Sequence, residues 1–260
     1  MTTIPLYQID AFAQQRFQGN PAAVCPLTSW LSDEILQAIA QENNLSETAF
    51  FVKDNTHYQL RWMTPAAEVD LCGHATLAAA DVIFNYYEPQ ADALLFSTRS
   101  GELRVTKADN GLMMDFPATL PKPIAAPEQL VTGIEEQVDE VLAGFDYIVV
   151  LANEQQVLDF TPDFTAWQQL DLRGVLVTAK SDHYDFVSRC FFPKLEVNED
   201  PVTGSAHCQL APYWAEKLNK QQLVAKQVSQ RGGELICQIN GDRVTLIGSC
   251  VEYLKGEIVI

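Results

Sequence analysis

From His57 the chain reads HYQLRWMTP, with Tyr58, Leu60 and Trp62 alternating with Gln59 and Arg61 before Pro65 closes the run. A period of two marks a half-buried strand, and proline ends the ladder that a strand can join. HYDFVSRCFFP, from His183 to Pro193, reads the same way. The stretch HATLAAADVIF, His74 to Phe84, has almost no polar face, which predicts a helix buried all round. SAHCQLAPYWAEKL, Ser205 to Leu218, is also rich in helix formers. GELRVTKADNGLMMDFP and GELICQINGDRVTLIG, from Gly101 and Gly233, alternate on either side of Asp-Asn-Gly and Asn-Gly-Asp, so each predicts a hairpin.

These elements come in two sets. HYQLRWMTPAAEV and HYDFVSRCFFPKLEV share His-Tyr, Arg and Pro-x-x-Glu-Val, with Pro65 and Pro193 lying 128 positions apart. GHATLAAA and GSAHCQLA follow at an offset of 131, and STRSGEL and SQRGGEL at 132. Matches in register at half the chain length predict two copies of one unit rather than a solenoid of short repeats. The expected fold is α+β, each copy a curved, mainly antiparallel sheet around a central helix. FPATLPKPIAAPEQL, Phe116 to Leu130, carries four prolines and reads as the linker. The copies are placed at 1–118 and 119–250, with a C-terminal strand at 251–260 expected to join the first.

Composition narrows the setting. The 260 residues, 47% of them hydrophobic, can fill two cores. Thirty-four acidic against 17 basic residues give a net charge of −17, which repels nucleic acid and anionic lipid. No leader pattern and no membrane-spanning run is visible, and the six cysteines are scattered without a C-x-x-C pair. A cytoplasmic protein with reduced thiols is expected.

Gly73-His74 and Gly204-Ser205 each stand where a loop becomes a helix, offering unpaired backbone N–H groups and the positive end of a helix dipole. If the copies face each other, both helix starts meet at one cleft suited to a small anion such as a carboxylate.

Four motifs then carry a resemblance: DAFAQQRFQGNPAAV from Asp10, NLSETAFF from Asn44, VDLCGHATLAAA from Val69 and NEDPVTGSAHCQLAPYW from Asn198. Together, and over nearly the whole chain, they resemble the phenazine-biosynthesis isomerase (PhzF-like) family, relatives of diaminopimelate epimerase. The resemblance implies a diaminopimelate epimerase-like fold of two pseudo-symmetric domains, proton chemistry in the cleft between them without a cofactor, and a homodimer. It also implies Glu47 as general acid/base, Asp200 as a second acidic residue orienting the substrate, and His74 as the site histidine. Gly73, Gly204 and Ser205 fall on substrate-binding positions, with Asn20 and Thr203 as further candidates. Read without the family, Glu47 between Ser46 and an apolar run would be poorly solvated, which raises a carboxyl pKa; the plainer alternative is an exposed or helix-capping glutamate. Asp-Pro at Asp200 is by itself a turn, and a lone histidine is usually structural.

Cys72 stands where diaminopimelate epimerase has the first of two catalytic cysteines, and the phenazine enzyme has no thiol there. The second copy has Thr203 in place of a partner thiol, which excludes a symmetric two-thiol mechanism. At a helix start Cys72 could have a lowered pKa and assist Glu47, or be a small side chain packing the loop. Cys72 with His74, and His207 with Cys208, lack the ligand gaps of structural zinc motifs, so no metal is expected. No G-x-G-x-x-G occurs, and no cofactor is expected. The expected activity is a cofactor-independent isomerase moving a proton on a small carboxylate-bearing substrate. The alternatives are an epimerase or racemase of an amino-acid-like compound, and a non-catalytic protein that binds a carboxylate metabolite.

Overall fold

The computed structural model describes residues 2–132, 134 and 137–260. The chain divides into two compact units, Met1–Asp115 with Ile247–Ile260, and Phe116–Leu246. In chain order the first elements are β1 (Thr3–Ala11), β2 (Asn20–Leu27), α1 (Asp33–Asn43), β3 (Glu47–Asp54), β4 (His57–Met63), β5 (Glu68–Val69), α2 (Gly73–Tyr86), β6 (Ala93–Thr98), β7 (Gly101–Ala108) and β8 (Gly111–Pro117). Then come β9 (Lys122–Pro123), α3 (Glu128–Thr132), β10 (Val138–Ala143), β11 (Tyr147–Leu151), α4 (Glu154–Asp159), α5 (Phe164–Trp167), β12 (Val175–Lys180), β13 (Phe186–Phe192), β14 (Val197–Asp200), α6 (Gly204–Leu218), β15 (Gln222–Gln227), β16 (Gly233–Asn240), β17 (Arg243–Gly248) and β18 (Cys250–Val259).

The repeat in the sequence is a repeat in topology. In the first unit β1–β2 is antiparallel, β2–β3 parallel, β3–β4 and β4–β5 antiparallel, β4–β6 parallel and β6–β7 antiparallel. In the second, β10–β11, β11–β12, β12–β13, β13–β14, β13–β15 and β15–β16 follow in the same order and the same senses. The alternating runs become β4 and β13, and the two predicted hairpins are β7–β8 and the β16, β17 pair of strands. β18 pairs antiparallel with β1 along its length, returning the C-terminus to the first unit.

In the first unit the sheet wraps on one helix. α2 packs on β1, β2 and β3, and Leu77, Ala78, Ala79, Ala80, Val82 and Ile83 are fully buried, so small apolar side chains on every face let strands approach it all round. A second core in the other unit gathers Trp167, Phe160, Phe191, Val149, Val175 and Val177.

The proline-rich connection is more than a linker. β9 pairs with β10, and Thr119 donates its backbone N–H to the Cys208 carbonyl at 2.9 Å. Pro212 inside α6 lacks the N–H that would reach that carbonyl, so the connecting segment supplies the missing donor and the helix runs through its proline unbroken. No helix among the described residues is long and apolar enough to cross a membrane.

Candidate active site

In the first unit the starts of β2, β3 and α2 meet. Gly19 has a φ of +70°, and a Cβ there would lie 2.2 Å from the Ala11 carbonyl oxygen; only glycine makes this tight turn into β2. It delivers Asn20, fully buried, as the first residue of β2. Helix α1 closes at Asn44 in the left-handed conformation, after which Glu47 opens β3 beside Ala22 of β2. Cys72 is the N-cap of α2, without a side-chain capping bond, and no acidic residue occupies the first turn. The dipole end and amides of this turn are therefore uncompensated by the protein's own carboxylates on the helix.

His74 is the hub. Its Nε2 lies 3.0 Å from Glu47 Oε2, with the histidine 7% and the glutamate 17% exposed. The two atoms face each other off the line of a hydrogen bond, and among the described residues neither buried atom has a well-aligned partner. Such loose contacts are characteristic of acid/base pairs before substrate tightens them. On the other edge of the ring, Nδ1 is 3.3 Å from Asn20 Nδ2 and 3.5 Å from Cys72 Sγ. Ser46 Oγ donates to Asn20 Oδ1 at 3.2 Å, which turns the amide Nδ2 toward the imidazole. In the neutral ring Nδ1 accepts, and the proton sits on Nε2 facing Glu47.

Burial works against a second proton on His74, but the charges of Cys72 and Glu47 raise its pKa well above 6.5. Glu47 is the effective one at neutral pH, because Cys72 is a neutral thiol there: burial, then the Glu47 carboxylate, push the Cys72 pKa up, and His74 offsets this only in part. The lowered thiol pKa expected at a helix start is thus overridden by burial, since the dipole's effect is smaller than the cost of taking a thiolate out of water.

Glu47, Cys72 and His74 each bring one donor atom within 4.8 Å of the others. Ligand spacing along the chain tests only local sets, and Glu47 joins from a different element.

The second unit repeats the arrangement with other chemistry. Thr203 caps α6, and its hydroxyl is bonded to the Asp200 carboxylate at the end of β14. Gln227 ties the loop from beneath, donating to the Asp200 carbonyl at 2.6 Å and accepting from the Thr203 N–H at 2.8 Å. A Cβ on Gly204 would meet only Leu246 Cδ1 at 3.7 Å, so no packing in the protein demands glycine there. Ser205 Oγ accepts from Arg173 Nη2 at 2.9 Å; the same guanidinium grips the fully buried Asp146 through bonds of 3.0 and 2.8 Å. Gln209 donates to Asp146 and accepts from the Phe145 N–H, locking that turn to α6. Gln227, Arg173 and Asp146 lie outside every motif, and Ser46, though inside one, gives no sign in the sequence of its bond to Asn20; the fold alone brings them to the site.

The family model for phenazine biosynthesis-like proteins matches residues 9–256. The chain belongs to that family. It is 52% identical to an uncharacterized isomerase of Pseudomonas aeruginosa over 98% of both chains. A PhzF-family phenazine biosynthesis protein from Enterococcus faecalis, 49% identical, superposes with a TM-score of 0.97 over the whole of both chains. A hydroxyproline epimerase from Agrobacterium vitis, 8% identical, shares the fold with a TM-score of 0.63 over 99% of this chain and 91% of its own.

Proposed function

We propose that this isomerase of the phenazine biosynthesis-like family moves a proton between carbons of a small carboxylate-bearing substrate without a cofactor. Glu47 takes the proton from carbon and returns it elsewhere, and His74, poised at 3.0 Å, steadies the carboxylate and hydrogen-bonds the substrate. The substrate's carboxylate is bound by backbone N–H groups at the α2 start, Gly73 and His74. Gly204 and Ser205 are the equivalent substrate-binding positions at the α6 start, with Asp200 and Thr203 as polar positions beside them. Glycine at 204, which packing does not require, suits close approach of a ligand to the backbone. The observation that carries this reading is the His74–Glu47 contact: two buried polar atoms opposed at 3.0 Å with bonding capacity unspent. The reading further takes the enzyme as a cytoplasmic homodimer.

An epimerase or racemase is the second reading, favoured by Cys72 Sγ at 3.5 Å from His74 Nδ1, which puts a neutral thiol where a second proton donor would stand. Incubation with a pool of carboxylate metabolites in deuterated water tests both. Deuterium on carbon with a shifted double bond or carbonyl supports the isomerase, and deuterium at an inverted centre supports the epimerase. Tight ligand binding with no deuterium incorporated in any member of the pool would leave a binding protein.

A further inference from the structure

We propose that Glu47, Cys72 and His74 form a site for a thiophilic divalent cation, Zn²⁺ or its analogue Co²⁺, which acts on the enzyme as a reversible inhibitor. Among the described residues this is the one place where three His, Cys, Asp or Glu donors converge. One sulfur, one imidazole nitrogen and one carboxylate oxygen make a donor set that suits zinc, and three protein ligands leave a fourth position for water or an anion.

Tetrahedral zinc with bonds of ~2.0 to 2.3 Å sets its donors roughly 3.3 to 3.6 Å apart. The Glu47–His74 separation of 3.0 Å falls just short of that span and the Cys72–His74 separation of 3.5 Å lies within it. These contacts use opposite edges of the ring, and with the three donor atoms within 4.8 Å of one another, closing the set around one ring nitrogen takes side-chain movement of about an ångström. Glu47 Oε2 and His74 Nε2 give an independent sign. Both are buried without a well-aligned hydrogen bond, and a cation between them would satisfy both at once.

The charges close as well. The metal displaces the Cys72 thiol proton and the His74 ring proton to solvent, and thiolate and carboxylate together neutralise the 2+ charge. The bound cation then occupies the carboxylate and imidazole that move the proton. Inhibition rests on the isomerase reading, whereas binding does not.

The direct test adds Co²⁺ to chelator-washed full-length protein. One equivalent should bind saturably, with a thiolate-to-cobalt absorption band that Zn²⁺ abolishes. The band should vanish in Cys72→Ser. It should persist, at an affinity lower by roughly 10-fold or more, in Glu47→Gln. Cys250→Ser, which alters the partly exposed thiol, should change nothing. In wild-type protein the cobalt ion should broaden the His74 imidazole signal while leaving His57 and His183 sharp, a readout that needs no variant to fold. The proposal is overturned by the absence of saturable binding, by a band that survives in Cys72→Ser, or by a His74 signal that cobalt leaves untouched. Metal binding by a protein whose chelator-washed form shows no carbon–deuterium exchange would sink the isomerase reading and leave the cation site standing; exchange without metal binding would do the reverse.

Discussion

Asn20 Nδ2 stands 3.3 Å from His74 Nδ1, so the imidazole that faces Glu47 is held from behind by an amide whose own orientation Ser46 sets. The ring's tautomer and its charge are therefore controlled from opposite edges. The Glu47 carboxylate should hold the His74 pKa above the ordinary imidazole value of ~6.5 in the folded protein, against burial and against the Asn20 amide that faces Nδ1. Asn20→Asp places a second carboxylate at the ring and should raise that pKa further, while Asn20→Ala should loosen the ring. Proton–carbon spectra of the four histidine side chains across pH check this, and a His74 signal titrating at or below 6.5 would contradict it.

Gly19→Ala should destabilise the protein by about 2 kcal/mol or more, since a non-glycine residue must adopt a left-handed φ and meet the Ala11 carbonyl. Urea unfolding would show it. A loss below ~0.5 kcal/mol, typical of a neutral surface change, would mean that the turn before Asn20 relaxes.

His207 and Asp81 should pull stability in opposite directions between pH 4 and 6. Burial pushes the fully buried His207 down to about 4, so the unfolded chain binds its proton more readily. That contribution is present above pH 6.5 and is lost as pH falls toward 4, by about 3 kcal/mol at most. Burial pushes Asp81 on α2 up to about 6, so the folded state holds its proton more readily, and this contribution is lost as pH rises from 4 to 6. His207→Gln should therefore lose less stability than wild type between pH 7 and pH 4.5. Asp81→Asn should be more stable than wild type at pH 7, by roughly 2 kcal/mol after allowing for its partial exposure, and lose most of that advantage at pH 4.5. Chemical unfolding of the three proteins at both pH values separates the effects.

The division into strands, hairpins and a buried central helix was legible because each depends on local period and on the near-absence of polar residues between His74 and Phe84. The repeat was legible because its order and spacing survive divergence. The segment from Phe116 to Leu130 was misread in part: proline density signals a lack of regular structure, and nothing local announces that Thr119 completes α6 at Cys208. In the site, Asn20, Glu47, Cys72 and His74 were named from motifs, but their meeting at one imidazole depends on the alignment of β2, β3 and α2. Arg173 and Asp146 were invisible for the same reason. A buried carboxylate declares itself only through its partners.

Carbon–deuterium exchange by Glu47→Gln is the most direct test of proton transfer at this site. The amide keeps the size of the side chain and much of its hydrogen bonding while removing the base. Ligand affinity should survive, and exchange should fall by ~10²-fold or more, with Cys72→Ala doing much less. Exchange that persists in Glu47→Gln and disappears in Cys72→Ala would make the thiol the base and contradict the role given to Glu47.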